Sequence, residues 1–202
     1  MRNIFTSVLL VVGLVGSFGA VAADIDAGKA ASAVCGGCHG ADGNSVMGNF
    51  PKLAGQGAKY LVKQMDDIKS GARPVVEMTG LLDSLSAQDI NNIAAYFASQ
   101  ATTGGQAKKD LVAKGEELYR GGNPATNVAA CTACHGPAGA GIDLAAFPAL
   151  AGQQADYVAK QLKDFRSGER SNDGDARIMR SVSARLSDKE IEALSSYISG
   201  LH

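Results

Sequence analysis

No stretch of the 202-residue sequence alternates apolar and polar residues for long enough to carry a sheet. Basic charge is not in excess either, with 19 Lys and Arg against 20 Asp and Glu. That balance argues against a nucleic-acid partner and against a strongly cationic membrane binder. No apolar run reaches the ~20 residues needed to span a bilayer. The longest, Ile4 to Val15, follows Met1-Arg2-Asn3 and leads into small residues ending at Ala20-Val21-Ala22. A positive start, a short apolar run and an A-x-A ending read as a cleavable secretory signal peptide over residues 1–22, with Ala23 as the neighbouring cleavage position. The mature protein is expected to be soluble and exported. Apolar residues are few for the size of chain that remains, so a core would need buried apolar volume from another source.

The remainder repeats itself. Phe50-Pro51-Lys52-Leu53-Ala54-Gly55-Gln56 recurs as Phe147-Pro148-Ala149-Leu150-Ala151-Gly152-Gln153. Each copy is followed by an amphipathic run, Tyr60 to Arg73 and Tyr157 to Arg170, and then by matching segments Leu85 to Tyr96 and Leu186 to Tyr197. Two copies are too few for a solenoid, and two independently packed modules are the natural reading. Thr102-Thr103-Gly104-Gly105 interrupts the periodicity, which places an N-terminal domain at 23–101, a linker at 102–109 and a C-terminal domain at 110–202. Both domains read as all-α. Ser86-x-x-Asp89 and Ser187-x-x-Glu190 predict capping boxes that open the last helix of each half. Residues 23–103 carry six Lys and Arg against eight Asp and Glu, whereas 104–202 carry twelve of each, so the first half is the more acidic.

Four cysteines in an exported protein would ordinarily suggest two disulfides. Here all four, with two of the three histidines, fall into Cys35-Gly36-Gly37-Cys38-His39 and Cys131-Thr132-Ala133-Cys134-His135. C-x-x-C-H reads as covalent haem attachment, in which both thiols add to the vinyl groups and the histidine ligates the iron. The spacing suits this chemistry, because positions i and i+3 of a helical turn face the same way. A thioredoxin-like redox pair lacks its βαβ context, and a zinc site would have to gather ligands from both halves. A buried macrocycle in each domain also supplies the missing apolar volume.

The second axial ligand decides whether an iron is closed or reactive. His202 is the one spare histidine and sits at the chain end, where fraying is the ordinary expectation. Met179 is the sole methionine of the second half, and aligning Leu85 with Leu186 sets Met78 opposite it, each seven residues before its leucine. Met78 and Met179 are therefore the candidate ligands. Met65 aligns with Leu162 and reads as core packing, while Met47 is the weaker rival for the first iron. Pro51 and Pro148 follow His39 and His135 by twelve and thirteen residues. Each either simply fixes φ in a loop or places a carbonyl to accept the histidine Nδ1 proton.

With both C-x-x-C-H motifs, the paired Phe-Pro-x-Leu-Ala-Gly-Gln segments, Glu77-Met78-Thr79-Gly80, Ile178-Met179-Arg180 and the ending Ser195 to His202, the chain resembles the diheme cytochrome c4 family of fused class I cytochrome c domains. The resemblance covers essentially the whole mature chain. It implies His/Met ligation by His39 with Met78 and by His135 with Met179, the haems held by Cys35, Cys38, Cys131 and Cys134. It further implies a periplasmic location and delivery of electrons to a terminal haem-copper oxidase. The expected donor is a membrane quinol-oxidising complex, with room for peripheral membrane association. Gly28 with Tyr96 and Gly115 with Tyr197 look like the family's close helix crossings, and the Tyr119 to Ala130 approach to the second motif is longer than its counterpart. An electron carrier without a substrate site follows. The alternatives are a small diheme peroxidase, which requires an open iron, and a haem-bearing subunit of a periplasmic dehydrogenase.

Overall fold

The computed structural model describes residues 22–202, so the signal-peptide reading falls outside the described residues except at Ala22. The N-terminal half holds α1 (Ile25–Ala31), α2 (Gly36–His39), α3 (Ala58–Lys69), a 3₁₀ turn at Val76–Met78 and α4 (Ala87–Ala98). The C-terminal half holds α5 (Val112–Gly121), α6 (Thr132–His135), a 3₁₀ turn at Asp143–Ala145, α7 (Ala155–Ser167), α8 (Ile178–Ser183) and α9 (Asp188–Gly200). Among the described residues β structure is limited to two isolated bridges, Asn123 with Val128 and Ile142 with Phe147. The first of these folds the long approach to the second motif back on itself.

Local chemistry sets the helix ends. Ser86 and Asp89 form a reciprocal capping box at α4, and Ser187 and Glu190 form one at α9. Each satisfies backbone N–H groups that would otherwise lack partners. Asp24 caps α1 by accepting from the Ala27 N–H at 3.0 Å. The amphipathic runs end as helices short of Arg73 and Arg170, because Gly71 and Gly168 take φ of 80° and 84° and reverse the chain.

Each half has its own apolar core. In the first, Ile90, Ile93, Ala94 and Phe97 of α4 meet Leu61 and Met65 of α3. In the second, Ile191, Leu194 and Ile198 of α9 meet Leu118 of α5 and Val158 of α7. Burying each large side chain stabilises the fold by roughly 1.5–3 kcal/mol. The two crossings of first and last helices depend on glycine. A methyl at Gly28 would land on the Asn92 carbonyl, and one at Gly115 would strike Ala193 and Tyr197.

The halves, each with its own core, also meet across a polar seam. Arg73 donates to Tyr157 and Gln161 at 3.0 and 2.9 Å, and Arg170 donates to Tyr60 and Gln64 at 3.1 and 2.8 Å. Both arginines are buried, so each guanidinium draws part of its hydrogen bonding from the opposite half. The segment between the halves is also tied down: Thr102 donates to the Ala54 carbonyl, and the Lys108 N–H reaches Ser196 at 2.9 Å.

Candidate functional site

Each C-x-x-C-H motif occupies a single helical turn, α2 or α6, whose last residue is the histidine. Gly40 and Gly136 follow with φ of 80° and 78°, a left-handed conformation that turns the chain away at once and leaves the imidazole facing inward. The hydroxyl of Tyr96 secures the first turn by donating to the Ala41 carbonyl at 2.8 Å. Tyr119 does the same in the second half by donating to Gly136, also at 2.8 Å.

Both histidines are buried, at 8% and 7% exposure. His39 Nδ1 lies 2.9 Å from the Pro51 carbonyl oxygen and His135 Nδ1 lies 2.9 Å from that of Pro148. A carbonyl can only accept, so Nδ1 carries the proton and Nε2 presents its lone pair. The prolines therefore orient the rings. Burial pushes both imidazole pKa values down, with the proline carbonyls opposing in part, and the neutral ring that can ligate a metal is favoured. Phe50 and Phe147 flank the two rings at centroid distances of 6.2 and 6.5 Å.

None of the four cysteines is in a disulfide. Cys35 borders the first core and Cys131 the second, while Cys38 is exposed. Before haem is attached, burial raises the Cys35 thiol and pushes that of Cys131 up to about 11, which favours the protonated thiol. Met78 closes the first 3₁₀ turn and packs against the same core as Cys35. Met179 is the second residue of α8, half-buried, and is not among the side chains packed on the second core. Met65 is a core residue, Met47 is 40% exposed, and His202 is exposed at the chain end.

These residues suit haem. Two thiols and a neutral imidazole on one turn are its attachment chemistry. The exposed large apolar residues support the fit: six of the nine, Val34, Val46, Val76, Leu81, Ile142 and Ile178, lie within seven residues of a motif or of one of the two methionines, as expected around the site of a large apolar group. Bound haem supplies a one-electron iron couple. The chain fixes the ring, holds its Nδ1 proton and encloses the ligand in apolar surroundings.

Sequence reasoning did not find the amides that join the two sites. Gln56 exchanges two hydrogen bonds with Ala149, and Gln153 exchanges two with Lys52. The signal the sequence does carry is their recurrence at matching places in the repeated segment.

Comparison with known proteins agrees with this construction. The family model described as cytochrome c matches residues 25–101 and again 112–202. A cytochrome c4 of Pseudomonas aeruginosa is 60% identical over 202 residues, spanning all of both chains. The crystal structure of reduced recombinant cytochrome c4 from Pseudomonas stutzeri superposes with a TM-score of 0.88 at 58% identity, covering 90% of this chain and 100% of that one. A thiosulfate dehydrogenase electron acceptor of Stutzerimonas stutzeri is 37% identical over 177 residues, covering 85% of this chain and 80% of the relative. Two cytochrome c domains with two cysteine pairs carry two covalent haem c groups, and the chain belongs to the cytochrome c4 family of diheme electron carriers.

Proposed function

We propose that this protein is a periplasmic carrier in which His39 with Met78, and His135 with Met179, close both axial positions of the two irons. Cys35 and Cys38 anchor the first haem and Cys131 and Cys134 the second. The observation that carries the reading is the matched pair of buried histidines, each with Nδ1 held 2.9 Å from a proline carbonyl and each sharing its half with one of the two methionines that align in the repeat. Closed axial positions leave no place for a substrate and favour a raised potential. Cleavage of a leader at 1–22 leaves a working chain with an N-terminal domain at 23–101, a linker at 102–109 and a C-terminal domain at 110–202. Its donor is a membrane quinol-oxidising complex and its acceptor a terminal haem-copper oxidase. The more acidic first half favours a different partner for each domain, which unequal salt dependence of electron transfer at the two ends would register.

The test is the optical spectrum of the reduced, haem-loaded protein before and after carbon monoxide. Closed irons give no change in the wild type, while Met78→Ala and Met179→Ala each open one haem to the gas. A wild-type shift, or a methionine variant that stays closed, overturns the ligand assignment. A second reading, service to a periplasmic dehydrogenase, is favoured by the 37% identical electron acceptor. Rapid reduction by such an enzyme, and none by a quinol-oxidising complex, would select it.

A further inference from the structure

One peptide group, between Pro51 and Lys52, makes two hydrogen bonds in opposite directions. Its carbonyl accepts from His39 Nδ1 at 2.9 Å, and its N–H donates to Gln153 Oε1, in the other half of the molecule, at 2.8 Å. The mirror arrangement is complete. The Pro148 carbonyl accepts from His135 at 2.9 Å, and the adjoining Ala149 N–H donates to Gln56 Oε1 at 2.8 Å. Both amides are locked in place: Gln153 Nε2 donates to the Lys52 carbonyl at 2.9 Å and Gln56 Nε2 to the Ala149 carbonyl at 3.0 Å. The glutamines are buried, at 6% and 8% exposure.

Hydrogen bonds in such a chain polarise one another, by ~10–30% per bond in a protein interior. An acceptor pulling on the peptide N–H leaves more negative charge on its carbonyl oxygen. That oxygen then draws harder on the Nδ1 proton, and Nε2 becomes a stronger donor to a metal. Stronger donation favours the oxidised iron, which lowers the reduction potential.

We propose that Gln153 and Gln56 are positioning residues with a crossed effect: Gln153 sets the ligand strength of His39, and Gln56 that of His135. Each half thereby holds part of the control over the potential of the other's haem. The inference rests on His39 and His135 being the iron ligands.

The experiment is a redox titration of the full-length, haem-loaded protein, with each haem followed by its own assigned haem-methyl proton signals. Histidine-ligated low-spin signals from both haems in the wild type establish the ligand reading first; their absence would sink that reading and this inference with it, whereas a missing crossed shift in a protein that shows them sinks this inference alone. Gln153→Met removes the acceptor and is expected to raise the potential of the His39 haem while leaving that of the His135 haem in place. Gln153→Glu puts a charged acceptor on the same N–H and is expected to lower the His39 haem more than the other. Gln56→Met mirrors the first result and carries the test if Gln153→Met does not fold. Shifts confined to the variant's own half, equal shifts at both haems, the same sign for Met and Glu, or no shift in a folded variant would each overturn the proposal, since amides that merely clamp the halves together predict no crossed sign reversal.

Discussion

Asp173 holds Arg180 twice, accepting from its backbone N–H at 2.9 Å and from its Nε at 2.6 Å. Arg180 follows Met179 directly, and Arg177, the residue before α8, is left-handed and gives the helix no side-chain cap. The carboxylate therefore does the work of a cap for the short helix that presents the candidate ligand. Burial raises the Asp173 pKa, but the bonds from Arg180 outweigh it and hold the carboxyl below its usual range. A depressed folded pKa contributes stability above the unfolded value of about 3.9, and that contribution is lost as pH falls through the folded value. If Met78 and Met179 ligate as proposed, the sulfur-to-iron band of the second haem is expected to fade on acid titration at a higher pH than that of the first. Asp173→Asn should weaken it at neutral pH. Identical fading of the two bands in both proteins would rule this out.

The helix crossing at Gly115 yields a stability prediction with a reversed sign. Helix propensity alone would favour Ala over Gly by about 1 kcal/mol. A methyl at Gly115, however, would sit 2.5 Å from the Ala193 carbonyl oxygen and nearer still to Tyr197 Cβ. Overpacking of this kind typically costs about 1–3 kcal/mol, so Gly115→Ala should lower Tm. Gly121, on the same helix with nothing within 4 Å of the added atom, is the control. Gly121→Ala should leave Tm unchanged or raise it.

Gln64 is one of two shared acceptors of the seam between the halves, the other being Gln161, which also accepts from Arg73 and Arg170. The Gln64 Oε1 takes bonds from Arg73 and Arg170, both at 2.8 Å, and from Asn172 at 3.0 Å. Two buried guanidinium groups thus meet on one amide oxygen. Their charges, acting against the effect of burial, also hold the Tyr60 hydroxyl below its usual pKa. Gln64→Leu keeps the packing volume but strips an acceptor from two buried cations, a loss of about 1.5–3 kcal/mol for hydrogen bonds to charged groups. Urea unfolding of the haem-loaded variant should separate into two transitions, one per half. A single transition at the wild-type midpoint would show that the seam contributes nothing to coupling.

What could be read from the sequence was whatever repeats over short range. The capping boxes at Ser86 and Ser187, the apolar stripes of α4 and α9 and the two C-x-x-C-H turns lie where sequence reasoning set them, and the crossings at Gly28 and Gly115 lie where the family resemblance implied them. The seam between halves was not legible, because Gln56 and Arg170 find partners 93 and 110 residues away and single polar residues carry no periodic signal. The methionines show a subtler limit. Met78 and Met179 share their spacing to Leu85 and Leu186, yet one ends a 3₁₀ turn and the other starts a helix. Gly80, with φ of 79°, stops the chain from continuing as helix after Met78, whereas Ser181 and Val182 allow it after Met179.

That difference bears on Ser183, which lies one turn beyond Met179 on the same face of α8. Its counterpart in the first half, by the same alignment, is the buried Leu82. Ser183 is fully buried, and its hydroxyl has no hydrogen-bond partner among the described residues. An unsatisfied buried hydroxyl costs about 1–3 kcal/mol, so Ser183→Ala is expected to stabilise the protein by about 1 kcal/mol. The sulfur-to-iron band of the second haem should persist unchanged, because α8 keeps its length and its Asp173 contact. The comparison is best made by thermal unfolding of the haem-loaded protein. A fall in Tm would mean that the hydroxyl finds an acceptor once haem is bound, and would identify Ser183 as a polar feature of the second site that the first site, with Leu82 in its place, does not share.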